Sequence, residues 1–154
     1  MPAICHLYIS PGHNYRGHHG QPAGKHPVVE VDSVECVASQ GLVGDRYFAE
    51  KDDFKGQITF FALEVHRQLC EKFGQPGTPP SVYRRNVITE GVNLTTLIGQ
   101  EFELQGVRFL GTEECKPCYW MDQAVAPGAE DAMQGRGGLR AKILTTGTLH
   151  RDGH

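Results

Sequence analysis

Short runs of alternating or β-branched residues, separated by turn-forming glycines, constrain the fold of this chain more than any other feature. Runs of this kind are typical of β-strands. Within residues 101–111, Gln105-Gly106 separates two apolar alternations, which predicts a hairpin that turns at Gly106. The 19 glycines of the chain fit many such tight turns. We therefore predict strands at residues 3–9, 28–38, 57–61, 81–94, 101–111 and 139–149.

Helical periodicity is confined to a few segments. Residues 62–74 carry apolar side chains at steps of three to four residues, and Gly74 suits the C-terminal cap of a helix. His66 and Cys70 lie one turn apart there, a spacing that some metal sites use, but on an apolar stripe we interpret them as core residues. A second, short helix is predicted at residues 129–134.

Composition and charge exclude several classes of protein. The 154 residues suit one domain with a real core, and the hydrophobic content of 39% argues against disorder. A net charge of −3 with no long run of one sign argues against a nucleic-acid partner. No apolar run reaches membrane-spanning length, and the first residues lack the charged start of a signal peptide. Because five scattered cysteines do not form a disulfide scaffold, we expect a cytoplasmic protein.

The segment GTEECKPCYW at residues 111–120 is the strongest candidate for chemistry. It carries Cys115 and Cys118, the two candidate catalytic residues, with Lys116 and Pro117 between them. A thiolate is a nucleophile and a metal ligand, and a neighbouring cation favours its formation. Pro117 fixes one backbone dihedral, so both sulfurs are expected on a stiff turn.

Four interpretations of this cysteine pair are open from its spacing alone. A zinc site needs about four ligands, and the chain has no second CxxC. A thioredoxin-like dithiol needs a helix that opens at the first cysteine. The pair can also be structural. In the fourth interpretation, a thiolate binds or carries an anionic group inside a ring of basic residues, namely Lys116, Arg84 or Arg85, and Arg136.

Two further segments supply candidate binding residues. On a strand over residues 81–94, the adjacent Arg84 and Arg85 would point to opposite faces, so that one lines a pocket and the other braces it. Planar guanidinium groups suit phosphate or carboxylate. The turn GLVGDRYF presents Asp45 and Arg46, either as a local ion pair or as part of a site.

A histidine- and glycine-rich loop at residues 10–26 has three open interpretations. Its histidines suggest a metal site, although no carboxylate or cysteine lies at ligand spacing. Its backbone N–H groups together with Arg16 could bind an anion instead. It could also be an exposed polar loop. The histidines concerned are His13, His18, His19 and His26.

The ordered motifs GLVGDRYF, RRNVITEGVNL, LIGQEF and GTEECKPC closely resemble the MOSC domain, the C-terminal domain of molybdenum cofactor sulfurases, over roughly residues 29–144. The resemblance implies a mainly β fold, a closed or partly closed β-barrel with a few short helices. It also implies a molybdenum cofactor (molybdopterin) or a cofactor-bound sulfur. By position, Cys118 would ligate molybdenum, while pterin and phosphate would be held by Arg46, Arg84, Arg85 and Asn86.

Two functions follow as expectations from this resemblance. The first is a molybdenum-dependent reductase of a small-molecule substrate, in which Cys118 is the metal ligand. Because the chain lacks a flavin or nicotinamide motif, the reductase would need electrons from a protein partner. The second is a sulfur carrier, in which Cys118 or Cys115 holds a persulfide received from a sulfur-donor protein, or a module that passes the cofactor to a partner. We expect the 154 residues to leave no room for the pyridoxal-phosphate domain of the sulfurases.

Overall fold

The protein is described by a computed structural model that covers residues 2–12, 24, 27–50 and 53–152. Its strands are β1 (Ala3–Ile9), β2 (Val29–Glu30), β3 (Ser33–Val37), β4 (Gly41–Leu42), β5 (Ile58–Ala62), β6 (Val87–Glu90), β7 (Glu101–Leu104), β8 (Val107–Glu114), β9 (Leu139–Ile143) and β10 (Gly147–His150). Its α-helices are α1 (Leu63–Phe73), α2 (Trp120–Ala124) and α3 (Ala129–Ala132), and Pro80–Tyr83 and Leu94–Leu97 are 3-10 helices. The chain is therefore mainly β with few helices, as the resemblance implied.

Two sheets organise these strands. The larger has seven strands in the order β2-β1-β6-β5-β9-β8-β7, and the smaller has three in the order β10-β3-β4. Every pair of neighbouring strands is antiparallel except β5 and β6. Helix α1 connects these two strands, because parallel neighbours need a crossover rather than a tight turn.

The large sheet is buried on both faces, so consecutive residues of its central strands enter different cores. Phe60 belongs to a core shared with the small sheet, while the adjacent Phe61 belongs to a core under the helices. Val87 and Ile88 divide in the same way. This arrangement follows from the two-residue period of a strand. The four adjacent strands β6, β5, β9 and β8 form the centre of this sheet.

The expectation of a closed barrel is wrong for the described part of the chain, in which both sheets are open. The large sheet ends at two edge strands, β2 and β7. After β9 the chain forms β10, which pairs with β3 from Gly147 opposite Cys36 to His150 opposite Ser33. Because β10 joins the small sheet, no described strand links β7 to β2.

Local predictions are confirmed where turn chemistry is explicit. Gln105 and Gly106 connect β7 to β8 with φ angles of 53° and 81°, the two positive values that a type I′ hairpin turn requires. Gly74 ends α1 in the left-handed conformation with φ 61°. The strands predicted at 28–38 and 139–149 are each divided into two, at residues 31–32 and 144–146.

The strand predicted over residues 81–94 is wrong for its first half. Residues Pro80–Tyr83 form a 3-10 helix, Arg84 adopts a left-handed conformation with φ 57°, and only Val87–Glu90 is a strand. The prolines at positions 79 and 80 favour this outcome, because proline starts a helical turn readily and cannot donate to a sheet. The alternation argument for Arg84 and Arg85 therefore does not hold, although both arginines reach one cavity.

The buried histidine of α1 gives a testable dependence of stability on pH. His66 is 6% exposed, its Nδ1 lies 2.7 Å from the hydroxyl of Tyr83, and burial lowers its pKa. His66 therefore binds a proton more readily in the unfolded chain than in the folded chain. The free energy of unfolding should then fall as the pH decreases below about 6.5. The measurement is urea denaturation between pH 8 and pH 5.

The variant His66→Gln should lose part of this pH dependence while becoming less stable at pH 8. The exposed His150 offers a matched control, because His150→Gln removes a histidine without touching the core. Equal slopes for the wild type and the His66 variant would show that another group sets the acid limit.

Candidate functional site

The cysteine loop, residues 115–118, leaves the end of β8 and leads into α2. Its backbone is held by the segment 137–138, because the amide of Cys115 donates to the carbonyl of Gly138 at 2.8 Å. A Cβ added to Gly137 would lie 2.3 Å from the carbonyl oxygen of Cys115 and 2.8 Å from Cδ of Pro117. Only glycine fits this contact, so the segment 137–138 fixes the position of the loop.

The cysteine loop forms one wall of a cavity of about 430 Å³, which we call the cysteine cavity. Six of the residues singled out in the sequence border it: Arg46, Arg84, Arg85, Cys115, Lys116 and Cys118. The other described residues that line it are Tyr47, Gly56, Thr59, Tyr83, Glu113, Glu114, Trp120, Met121 and Arg140. The fold therefore brings together motifs from the turn before β5, from the segment before β6, and from the ends of β8 and β9.

Arg85 connects the arginine motif to the cysteine loop. Its guanidinium group donates from Nη2 to the carbonyl of Cys115 at 3.3 Å, from Nε to the carbonyl of Gly137 at 3.2 Å and from Nη1 to the carbonyl of Tyr83 at 2.8 Å. None of these acceptors carries a formal charge. The positive charge of Arg85 is therefore not neutralised by a carboxylate among the described residues, and it lies beside the two cysteines.

Arg84 has a different environment. It is 7% exposed, and its Nη2 donates to Oγ of Ser10 at 2.6 Å and to the carbonyl of Gly12 at 2.8 Å. These bonds tie the segment before β6 to the residues that follow β1. Arg84 thus holds the wall of the cysteine cavity together as well as contributing charge to it.

Arg46 lines the cysteine cavity and is held by its neighbour Asp45. The buried carboxylate of Asp45 accepts from the amides of Ser10 and Tyr47 at 3.0 and 3.3 Å, and from Nη1 of Arg46 at 3.2 Å. Nη2 of Arg46 donates to the carbonyl of Arg84 at 3.1 Å, and its guanidinium lies 4.7 Å from the ring centre of Tyr47. The local ion pair is therefore present, and its arginine also lines the cysteine cavity.

Two of the predicted binding residues lie outside the described lining of the cysteine cavity. Asn86 is 2% exposed, and its Oδ1 accepts from both the amide and the hydroxyl of Thr59 at 3.0 Å. It positions Thr59, which does line the cavity. Arg136 borders a second cavity of about 400 Å³ instead.

Arg140 is the most informative residue that the sequence did not single out. It projects from β9 into the cysteine cavity, where Nη1 lies 3.0 Å from Oε1 of Glu113 and the guanidinium lies 5.3 Å from the ring centre of Phe54. Glu113 and Arg140 are direct cross-strand partners in β8 and β9. The alternation of apolar and basic residues in LRAKI indicated that one face of the strand is basic. Whether that face borders a cavity depends on the pairing of β8 with β9.

The five cysteines are all free thiols with different surroundings. Burial raises the pKa of Cys36 to about 12, so this thiol is ionised in only about one molecule in 10⁵ at pH 7. Burial also raises the pKa of Cys5 and Cys70. Cys115 and Cys118 are half-buried at the wall of the cysteine cavity. Of the five thiols, Cys115 and Cys118 are the two in the described lining of the cysteine cavity.

Metal ligation by the protein alone was one interpretation of the histidine-rich loop. His13, His18, His19 and His26 lie outside the residues that the structure describes. Within the described ranges, no group of three or more His, Cys, Asp and Glu side chains could hold a metal ion. Sγ of Cys70 lies 3.5 Å from Nε2 of His66. His66 is buried, as the core interpretation predicted, whereas Cys70 is only half-buried.

Comparison with known families adds a decisive observation. A model of the MOSC domain matches residues 16–152, nearly the whole chain, including every motif that walls the cysteine cavity. This chain belongs to the MOSC-domain family. No curated protein matches the sequence of this MOSC-domain chain.

Solved structures support the fold of this MOSC domain. The YuaD protein from Bacillus subtilis superposes with a TM-score of 0.72 at 21% sequence identity, over 97% of this chain and 92% of YuaD. YiiM from Escherichia coli gives a TM-score of 0.69 at 16% identity, over 99% of this chain and 67% of YiiM. YiiM from Geobacillus stearothermophilus gives 0.69 at 14% identity, over 97% and 71%. At these identities the likeness concerns the fold.

The sequence predicted no membrane-spanning segment. In the ranges that the structure covers, no helix is both long enough and apolar enough to span a bilayer.

Proposed function

We propose that this MOSC-domain protein binds a molybdenum cofactor in the cysteine cavity and that Cys118 ligates the metal. One observation carries the proposal: Cys115 and Arg85 lie 30 positions apart in sequence, yet the arginine donates a hydrogen bond to the backbone of the cysteine loop. A soft thiolate and an unneutralised guanidinium thus border one space. This pairing suits a ligand that carries both a thiophilic metal and an anionic group.

The size and charge of the cavity fit such a ligand. A volume of about 430 Å³ falls within the range of small-molecule sites, about 300–1,000 Å³. Its described lining includes two carboxylates, Glu113 and Glu114. Glu113 pairs with Arg140, and Oε2 of Glu114 accepts from the amide of Gly137 at 3.3 Å. The cations outnumber them by five to two, namely Arg46, Arg84, Arg85, Lys116 and Arg140.

The residues divide into three roles in this proposal. Cys118 provides the thiolate, and Cys115 provides a second sulfur beside it. Arg85, Lys116 and Arg140 bind the anionic groups, since Arg85 has no carboxylate partner among the described residues, Lys116 is exposed and Arg140 lines the cavity. Arg46, Arg84 and Asn86 maintain the shape of the walls through the hydrogen bonds described above. The bound cofactor would supply the oxidation–reduction chemistry, and we propose that a protein partner in the cytoplasm supplies its electrons.

A sulfur carrier is the second candidate function, and one observation favours it. Cys115 borders the same cavity as Cys118, so a second thiol is available next to any persulfide. A single metal ligand would not require this second sulfur. In a carrier, the basic residues would stabilise the anionic persulfide.

The test is purification from two hosts that differ only in their ability to make molybdenum cofactor. We expect molybdenum, measured by elemental analysis, to approach one atom per chain in the competent host, together with a pterin released on denaturation. A mass increase of one sulfur atom on Cys115 or Cys118, without molybdenum, would favour the carrier. Protein that carries neither molybdenum nor an added sulfur atom would contradict both candidate functions.

A further inference from the structure

Arg136 belonged to the predicted basic ring, yet it borders the second cavity. This cavity lies between the start of α1, the residues that follow β6, and the segment 136–138, and its volume is about 400 Å³. Its walls are mainly apolar, with Ala62, Val65, Val92 and Leu94 among them. A space of this size and polarity suits a small molecule with an apolar body.

The positive side of the second cavity is provided by Arg136. Nε of this half-buried side chain donates to the carbonyl of Ala132 at 2.8 Å, and Nη1 donates to Oε1 of Gln68. Nη2 donates to no residue that the structure describes. The guanidinium group is therefore held in place by two neutral acceptors and keeps donor capacity for an anion.

The negative side is provided by Glu64 in the first turn of α1. Its Oε2 accepts from the amide of Gly91 at 2.8 Å, which fixes the carboxylate. Its Oε1 is buried and has no hydrogen-bond partner among the described residues. Because Oε1 is enclosed by the protein, Oε2 is the oxygen that can accept a second hydrogen bond from a molecule in the second cavity, which Glu64 lines.

One ligand class satisfies both walls. We propose that the second cavity binds a small zwitterion with an apolar substituent, of the class of apolar α-amino acids. The carboxylate contacts Arg136, the ammonium group donates to Oε2 of Glu64, and the substituent packs on the apolar walls. A ligand with a carboxylate but no ammonium group would offer no hydrogen-bond donor to Glu64. Its negative charge would also be repelled by the carboxylate of Glu64. A simple amine would offer no acceptor to Nη2 of Arg136.

The probe is L-phenylalanine, tested by calorimetry or by chemical-shift perturbation on metal-free protein. Two analogues isolate the charges, because 3-phenylpropionate lacks the ammonium group and 2-phenylethylamine lacks the carboxylate. Each should bind about tenfold or more weakly than L-phenylalanine, since a charged hydrogen bond is lost in each case. L-Leucine tests the same class with a smaller substituent.

Two variants assign the charges to the two walls. Glu64→Gln keeps an acceptor for Gly91 and should abolish the preference for L-phenylalanine over 3-phenylpropionate. Arg136→Gln should abolish the preference over 2-phenylethylamine. Arg108→Gln is the matched control, because Arg108 is exposed, pairs with Glu101 and lies outside the described lining of the cavity.

The comparison of analogues on the wild-type protein decides the proposal even if a variant fails to fold. Absence of binding by both amino acids at millimolar concentration would overturn it. Equal binding of L-phenylalanine and its two analogues would overturn it as well. The experiment uses no metal, so its result is independent of whether the cysteine cavity holds a molybdenum cofactor.

Discussion

Replacing Cys118 with serine is expected to remove nearly all molybdenum from protein made in a cofactor-competent host. A serine hydroxyl is a harder donor than a thiolate and is far less acidic, so it ligates a thiophilic metal poorly. Cys115→Ser should retain most of the metal, because a single thiolate suffices as ligand. The measurement is the molybdenum content per chain of both variants, with thermal melting to show that each remains folded.

The two serine variants are matched to each other, since both change a half-buried sulfur of the same loop. Equal loss of metal in both would mean that the sulfurs act together. If both cysteines were required and formed a reversible disulfide in protein without metal, the thioredoxin-like interpretation would replace ligation by Cys118.

Charge reversal at Arg84 is expected to have the largest effect on stability. The side chain is 7% exposed, and its guanidinium donates to Oγ of Ser10 and to the carbonyl of Gly12. A glutamate there would bury a carboxylate opposite a carbonyl oxygen, and we expect a loss of about 3–5 kcal/mol in the free energy of unfolding, as when one partner of a buried charged contact is removed. The measurement is urea denaturation.

The adjacent residue provides the comparison. Arg85 is half-buried and donates only to carbonyl groups, so Arg85→Glu should cost about 1–3 kcal/mol, leave a folded protein and prevent cofactor retention. Arg108→Glu changes an exposed arginine and should alter stability by about 1 kcal/mol or less. A similar stability for the Arg84 and Arg85 variants would show that Arg84 does not hold the wall of the cavity.

The sequence was informative where a local rule acts alone. The turn at Gly106 and the cap at Gly74 were predictable because each needs a positive φ that glycine supplies without strain. The cysteine loop and the arginine motif could be chosen as site residues from their chemistry. Their meeting in one cavity could not be derived, since it depends on the pairing of β8 with β9 and on the position of β6 beside β5.

The predictions that were wrong each relied on a local pattern that other residues or tertiary contacts override. Alternation in residues 81–86 suggested a strand, but two prolines favour a 3-10 turn, and Arg84 ends that turn in a left-handed conformation. Arg136 is basic and follows a glycine, which says nothing about which of two cavities it borders. Closure of the barrel likewise depends on which of the two sheets β10 joins. That pairing is set by tertiary contacts and not by the local sequence.

The segment 136–138 lies between the second cavity, which it lines, and the cysteine loop, which it supports. Arg136 and Gly138 line the second cavity. Gly137 packs against the carbonyl oxygen of Cys115, and the carbonyl of Gly138 accepts a hydrogen bond from the amide of Cys115. A molecule that shifts this backbone from one side therefore changes the free energy of binding on the other. Thermodynamic linkage makes the effect reciprocal. If a ligand in the second cavity changes the affinity of the cysteine cavity by some factor, a ligand in the cysteine cavity changes the affinity of the second cavity by the same factor.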